Sequence, residues 1–158
     1  MYIDDKNFLQ QAINLAIENV NSGKGGPFGA VVVKDGQVIA TGTNLVTFSN
    51  DPTAHAEISA IRNACETLNS FQLDGCTIYS SCEPCPMCLA AIYWARPQRL
   101  VFAADKNQAA DAGFDDAFLY KEIVLPLEQR ALQTDNIVLE DTEKPFQVWN
   151  NNNEKIEY

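Results

Sequence analysis

The residues that point most directly to chemistry are a single histidine and two closely spaced cysteines. His55 is the only histidine of the chain and stands two residues before Glu57. Cys85 and Cys88 follow in the run Pro84-Cys85-Pro-Met-Cys88. One imidazole nitrogen and two thiolates form the three-ligand set of a catalytic zinc ion, which keeps a water molecule in its fourth position. The sequence therefore predicts a Zn²⁺ ion held by His55, Cys85 and Cys88.

Each half of this ligand set stands at the predicted start of a helix. Cys85 precedes a helix that Pro86 can begin, and Cys88 lies about one turn further on, so both sulfurs can face one point. Residues two apart on an ideal helix point roughly 200° apart. His55 must therefore stand at or before its helix start if Glu57 is to reach the same ion. Two helix N-termini directed at the metal would stabilise thiolates and a bound hydroxide.

Glu57 is the candidate proton carrier. A zinc ion with two thiolates has a first shell of net charge near zero, so its water is less acidified than on three neutral imidazoles. A general base is then needed to accept the proton of the water, and the Glu57 carboxylate is near enough in sequence to act as one.

Two other metal sites fit part of the pattern. Cys82 could complete a closed Cys₃His structural zinc site in a non-catalytic scaffold, although Glu57 would then have no task. The spacing of Cys82, Cys85 and Cys88 also resembles the start of an iron–sulfur motif, but the next cysteine is missing because position 92 is Ile92. The two remaining cysteines, Cys65 and Cys76, are predicted to be buried structural residues.

The elements that must position these residues follow from hydrophobic periodicity and turn residues. The chain has 158 residues, of which 46% are hydrophobic, as expected for one domain spanning residues 1–158. Strands that alternate with helices predict an α/β fold with three layers, α/β/α, around a central mixed five-stranded sheet. The predicted helices cover residues 7–21, from about 54, 86–94, about 109–120 and 144–150; the strands cover 30–34, 37–41, 76–81, 99–104 and about 137–139; residues 47–53 form a polar loop.

Charge and hydropathy narrow the possible partners. Lys and Arg number 11 against 21 Asp and Glu, a net charge of −10. This balance disfavours nucleic acid and anionic membranes, which are bound through clustered basic residues. There is no apolar run of the ~18 residues that a membrane span needs, and an acidic N-terminus is unlike a signal peptide. An odd number of cysteines without an export signal predicts reduced thiols and a cytoplasmic protein.

The combination of His55-Ala-Glu57 with Pro84-Cys85-Pro-Met-Cys88 is the signature of zinc deaminases. Over nearly its full length the chain resembles the guanine deaminases of the cytidine-deaminase-like class. The Gly113-Phe-Asp-Asp116 segment and the terminal Glu157-Tyr158 are the narrower features of this resemblance. The other matching segments are Gly25 to Ala30, Ser49 to Glu57, Ser81 to Cys88 and Ala91 to Pro97.

The resemblance implies hydrolysis of guanine to xanthine and ammonia by a zinc-activated water, with Glu57 as proton shuttle. It also implies a homodimer in which the C-terminal segment, about residues 120–158, is exchanged between subunits. Whether Asp116 or its neighbour Asp115 faces the substrate rests on the resemblance alone. The residues that it assigns to the purine base are Phe28 and Trp94 on the two faces, Asn44 at the polar edge, Asp116 near the amino group, and Tyr158 closing the pocket.

Two other enzymatic functions share the metal motif. A tRNA-specific adenosine deaminase would need a basic face, whereas residues 131–158 contain only Lys144 and Lys155 as basic residues. Deaminases of cytosine, cytidine or related small molecules fit the charge but lack the Gly-Phe-Asp-Asp segment. The predicted partner is therefore a small purine base.

Overall fold

The computed structural model describes residues 3–158, which form two compact units divided after Asp116. The first unit contains the sheet, and the second, Ala117–Tyr158, contains short helices. The helices are α1 (Ile3–Asn21), α2 (Val46–Ser49), α3 (Ala56–Leu68), α4 (Pro86–Ala95), α5 (Lys106–Asp111), α6 (Ala117–Ile123) and α7 (Lys144–Asn150), with a 3₁₀ turn at Leu127–Gln129. The strands are β1 (Gly29–Lys34), β2 (Gln37–Thr43), β3 (Cys76–Cys82) and β4 (Arg99–Ala104).

The sheet is mixed, as predicted, but within residues 3–158 it has four strands and not five. Its order is β2-β1-β3-β4, with β1 antiparallel to β2 and β3, and β4 parallel to β3. The prediction of a fifth strand near residues 137–139 was wrong. Ile137, Val138 and Leu139 lie outside any strand and are 69–77% exposed. A short apolar run becomes a strand only where a neighbouring strand accepts its backbone hydrogen bonds, and none does so here.

Two local predictions also differ from the structure. The helix predicted over residues 109–120 is divided into α5 and α6, because Gly113 adopts a left-handed conformation (φ +93°) that interrupts helical geometry. Helix α5 starts earlier than predicted, since Asp105 and Gln108 form a reciprocal capping box. The predicted polar loop 47–53 contains most of the short helix α2.

Helices pack on both faces of the sheet, which gives the first unit its three layers. Alternate strand residues divide the core into two clusters. Val32 and Ile78 point to the face covered by α3 and α4, while Val31 and Tyr79 point to the face covered by α1. Along the described residues, no helix combines the length and apolarity needed to cross a bilayer.

Helix α3 lies directly on the backbone of strand β2 at Gly42. A Cβ atom at this position would overlap the carbonyl oxygen of Ala56 and the amide nitrogen of Ala60. The missing side chain therefore lets the first turn of α3 approach the sheet, and this turn carries Glu57.

A buried carboxylate anchors the start of α1 to the sheet. Asp5, which is 3% exposed, accepts a hydrogen bond from the Tyr79 hydroxyl at 2.8 Å and two from the Arg99 guanidinium at 2.9 and 3.0 Å. Burial, together with the Asp5 carboxylate, raises the pKa of Tyr79 to about 12, so the phenol remains a donor at neutral pH.

We expect Asp5→Ala to lower the free energy of unfolding by about 2–4 kcal/mol, because it removes the carboxylate that accepts from the buried Tyr79 phenol and from the Arg99 guanidinium. Urea denaturation followed by circular dichroism measures this loss. Asp4→Ala is the matched control, since Asp4 is an exposed acid in the same first helical turn. An equal loss in both variants would show that helix-end charge, and not the buried contact, stabilises this end of α1.

Candidate active site

His55 stands immediately before helix α3. Its backbone is extended (φ −70°, ψ 161°), and the helix begins with Ala56. Residues two apart on a helix would point in nearly opposite directions, but only Glu57 has helical backbone geometry. His55 and Glu57 can therefore face the same cavity. His55 and Glu57 both line one cavity of the first unit.

Cys85 occupies the corresponding position before helix α4. Its backbone is also extended (φ −64°, ψ 167°), and Pro86 takes the first helical position, where its missing N–H costs no helical hydrogen bond. Cys88 lies in the first turn of α4 and is fully buried. Both thiols are therefore at the positive end of a helix dipole, which favours thiolates.

The three predicted ligands meet at one point. The His55 Nδ1 atom lies 3.5 Å from the Cys85 sulfur and 3.5 Å from the Cys88 sulfur. Zinc bonds of ~2.0–2.1 Å to nitrogen and ~2.3 Å to sulfur, at a tetrahedral angle, separate such ligand atoms by ~3.5 Å. Within residues 3–158 this is the one cluster of histidine, cysteine or acidic side chains close enough to hold a metal ion. Its donor set and spacing fit zinc.

The three side chains of the cluster shift one another's pKa values. The Cys88 thiol and, to a lesser degree, His55 act on the Cys85 sulfur and lower the pKa of Cys85 to about 4. In return, the hydrogen bond to Cys85 raises the pKa of Cys88, and the same sulfur raises the pKa of His55. The three groups thus share protons at the place where a metal ion would displace them.

Glu57 is a buried carboxyl group beside this cluster. Only 5% of the residue is exposed, and its Oε1 atom accepts a hydrogen bond of 2.9 Å from the Ser80 hydroxyl. Burial raises the pKa of Glu57, whereas its hydrogen bonds oppose this shift. A carboxyl group in such surroundings can both accept and return a proton.

The cavity that contains these groups has a volume of about 490 Å³ and lies within the first unit. Several residues predicted to bind substrate line the same space. Besides His55, Glu57 and Cys85, the lining includes Phe28, Asn44 and Asp116.

Two asparagines fix the shape of the cavity wall. Asn44 is buried, and its Oδ1 accepts from the backbone N–H groups of Gly26 and Val46, both at 3.4 Å. Asn19, at the end of α1, donates from Nδ2 to the carbonyl oxygens of Gly26 (2.9 Å) and Asn44 (2.8 Å). These bonds tie the loop before Phe28 to the segment that follows β2.

The structure places Asp116, and not Asp115, against the cavity. Asp116 is half-buried, and burial, followed by the charge of Cys85, raises the pKa of this carboxyl group. Asp115 is exposed.

Phe114 is a cavity residue to which the sequence assigned no role. Its ring packs edge-on against Phe28, with centroids 4.9 Å apart and planes at 87°. The Gly113-Phe-Asp-Asp116 segment could have drawn attention to Phe114. Its contact with Phe28 could not be predicted, because the two residues are far apart in sequence. Ser80 was missed for the same reason, since its contact with Glu57 joins β3 to α3.

Trp94, Tyr158 and Cys82 are the remaining residues that the sequence analysis considered. Trp94, in the last turn of α4, is 63% exposed and does not line the cavity. Tyr158 belongs to the second unit and is 70% exposed. Cys82 lines the cavity, but its sulfur contacts the carbonyl oxygen of Asp105 at 3.7 Å, and burial raises the pKa of this thiol to about 11. Cys82 therefore lies outside the three-donor cluster.

Comparison with known proteins identifies the family. Residues 3–104 match the family model of the cytidine and deoxycytidylate deaminase zinc-binding region. The chain belongs to this zinc-binding deaminase family. The matched range contains the three predicted ligands and Glu57 but ends before Asp116.

One relative matches this deaminase-family chain over nearly its full length, and another matches about half of it. Guanine deaminase of Bacillus subtilis is 56% identical over 156 residues, which cover 99% of this chain and 100% of the relative. The X-ray structure of the Bacillus subtilis enzyme superposes with a TM-score of 0.96 and covers 100% of this chain and 99% of that one. A tRNA-specific adenosine deaminase of Agrobacterium fabrum is 49% identical, but over 55% of this chain and 59% of its own length.

We expect Cys85→Ala and Cys88→Ala to weaken zinc binding by more than ~100-fold and to lower Tm, because each removes a metal–sulfur bond that also joins α3 to α4. Metal analysis of the purified proteins and thermal unfolding measure the two effects. Cys65→Ala, at a half-buried cysteine of α3, is the control and should retain zinc. Full zinc content in Cys85→Ala or in Cys88→Ala would remove that cysteine from the ligand set.

Proposed function

We propose that this chain catalyses the hydrolytic deamination of guanine to xanthine and ammonia. The observation that carries the chemistry is a buried carboxyl group, Glu57, in the same cavity as a donor cluster with zinc spacing. The choice of guanine follows the Bacillus subtilis guanine deaminase, which matches this chain over its whole length. The match to tRNA-specific relatives is partial, and a net charge of −10 disfavours a polyanionic substrate.

Glu57 moves the protons of the reaction. When bound by His55, Cys85 and Cys88, zinc supplies a Lewis acid that makes water a nucleophile at neutral pH. Glu57 accepts a proton from the attacking water and delivers it to the ring nitrogen next to the carbon that bears the amino group. It then transfers a second proton from the added hydroxyl to the amino nitrogen. The carbon–nitrogen bond breaks, and ammonia leaves while the carbonyl group forms.

The cavity walls orient the flat base. Phe28, braced by Phe114, packs on one face of the ring through an apolar and aromatic contact. The Oδ1 atom of Asn44 is used within the protein, so its amide NH₂ group donates to the polar edge of the purine. Asp116 accepts from the amino group and assists its departure. The contact of Trp94 with the second face remains a prediction, since Trp94 is not among the residues that line the cavity.

We further propose that the protein is a cytoplasmic homodimer. Its two subunits exchange their C-terminal segments, about residues 120–158, so that Tyr158 of each subunit closes the cavity of the other. Strand β4 is an edge of the four-stranded sheet in the described residues, and an apolar groove of about 600 Å³ lies beside α1 and β4. The second unit in turn exposes large apolar side chains, including those of Leu132, Ile137, Phe146 and Trp149. A reducing compartment keeps the ligand thiols free.

The direct test assays the purified protein against guanine, adenine, cytosine and their nucleosides, with ammonia release as the measurement. We expect guanine to be the preferred substrate of the wild type. Glu57→Ala should keep its zinc and lose about 10²–10⁴-fold in kcat, because the metal ligands remain and the proton carrier is removed.

Glu66→Ala is the control, since Glu66 is an exposed acid on the same helix. Preference for another base would replace the proposed substrate. A Glu57→Ala variant with zinc and unchanged kcat would remove Glu57 from the mechanism.

The exchange of C-terminal segments predicts complementation between two inactive chains. Deletion of Tyr158 should leave zinc content intact and slow turnover, and Glu57→Ala should also be slow. In a purified mixed dimer, the cavity of the Tyr158-deleted chain keeps Glu57 and receives Tyr158 from its partner. About half of the wild-type activity should return, because one of two sites is complete.

The two chains, each with a different affinity tag, are co-expressed and the mixed species is isolated and assayed. Light scattering first establishes whether the wild type is a dimer at micromolar concentration. A mixed dimer as inactive as its parents would reject the exchange, and full activity of the Tyr158 deletion alone would reject the closing role.

A further inference from the structure

Ser80 carries a buried hydroxyl on β3, an interior strand of the sheet, and the proposed chemistry leaves this hydroxyl without a role. The residue is 2% exposed. Its side chain is on the same face of the strand as that of Ile78, the face covered by α3. This places the hydroxyl between the sheet and the first turn of the helix that carries Glu57.

The hydrogen bonds of Ser80 set the direction of its proton. The hydroxyl oxygen lies 3.5 Å from the backbone N–H of Cys82, which donates to it, and 2.9 Å from the Oε1 atom of Glu57. A carboxylate can only accept, and a serine hydroxyl has a single proton. The proton of Ser80 is therefore directed at Glu57, and one of the two carboxylate oxygens has a fixed donor.

The carboxylate of Glu57 needs such a constraint because its final torsion is intrinsically soft. The bond between a side-chain methylene and a carboxyl group has a broad, roughly two-fold profile, so packing alone specifies this angle weakly. Catalytic groups must be held within ~0.5 Å of their working geometry. A buried donor fixed in strand β3 supplies this restraint.

We propose that Ser80 is a positioning residue that holds Oε1 of Glu57 and so leaves Oε2 as the oxygen that exchanges protons with water and substrate. This inference rests on the proposed function of Glu57. Because Oε1 already accepts the Ser80 proton, it is the less basic of the two oxygens, and the proton taken from water is carried on Oε2 and leaves from the same oxygen. Ser80 itself neither gains nor loses a proton during the reaction.

A purely structural role for Ser80 has a matched control in the next residue. Ser81 is also buried, and its hydroxyl oxygen accepts a hydrogen bond of 3.0 Å from the backbone N–H of Gly29. Its side chain points to the opposite face of the sheet from that of Ser80. Removal of the Ser81 hydroxyl breaks one buried hydrogen bond, and removal of the Ser80 hydroxyl breaks the one to Glu57 and the longer one from Cys82, but only Ser80 contacts Glu57.

The experiment compares Ser80→Ala with Ser81→Ala in the zinc-loaded enzyme. We expect Ser80→Ala to lower kcat for guanine by roughly 10- to 100-fold, the cost of a misplaced catalytic group. The KM for guanine and the inhibition constant of xanthine should change by less than about threefold, because base binding depends on other residues. Zinc content should equal that of the wild type, and Ser81→Ala should keep kcat within about twofold.

Two further measurements test whether the effect passes through Glu57. In a Glu57→Ala background, Ser80→Ala should change the residual rate by less than about twofold, because the group it positions is absent. Crystal structures of the metal-free variants should show one orientation of the Glu57 carboxylate in Ser81→Ala and more than one in Ser80→Ala.

Equal effects of the two serine variants on kcat, or an undiminished effect of Ser80→Ala without Glu57, would overturn this inference. A single, unchanged Glu57 orientation in the Ser80→Ala crystal would do the same. A wild-type enzyme that releases no ammonia from guanine would instead overturn the proposed function, so the two failures are distinguishable.

Discussion

The site depends on the convergence of two helix starts on one point. His55 and Cys85 each stand just before a helix with an extended backbone, and Cys88 follows within the first turn of the second helix. This arrangement brings the His55 Nδ1 atom, at the start of α3, within 3.5 Å of two sulfur atoms at the start of α4. It also directs the positive ends of two helix dipoles at the thiolates. This convergence requires α3 and α4 to lie on the same face of the sheet. The geometry of the ligands therefore depends on the layered packing of the first unit.

The negative charge collected around the cavity favours binding of a cation at the ligand cluster. The cavity of an already acidic protein collects the Cys85 thiolate and the carboxyl groups of Glu57 and Asp116. The charge of Cys85 adds to burial in raising the pKa of both carboxyl groups. A divalent ion would relieve this repulsion, because bound metal ions are the largest local charges in such sites. The acidic groups that serve the chemistry therefore also favour occupancy of the metal site.

Local patterns predicted much of this structure. The 3.6-residue periodicity of α1 and the Asp35-Gly36 turn between β1 and β2 could be read directly, and helix α7 has the predicted bounds. The position of His55 before its helix followed from the two-residue spacing to Glu57. The fifth strand could not be judged in this way, because a strand at residues 137–139 depends on whether another strand lies beside it. Gly113 divided a predicted helix because its left-handed backbone overrode the apolar pattern.

Contacts across long sequence separations were the part that no local pattern revealed. The pairing of Phe114 with Phe28 and of Ser80 with Glu57 exists only once the sheet and helices are assembled. Gly42 belongs to this class, since the close approach of α3 to β2 depends on its missing side chain. An inherited substitution of Gly42 would thus impair the enzyme, although Gly42 is neither a metal ligand nor a residue of the cavity wall. Screens that search for damaging variants only among cavity-lining positions would overlook it.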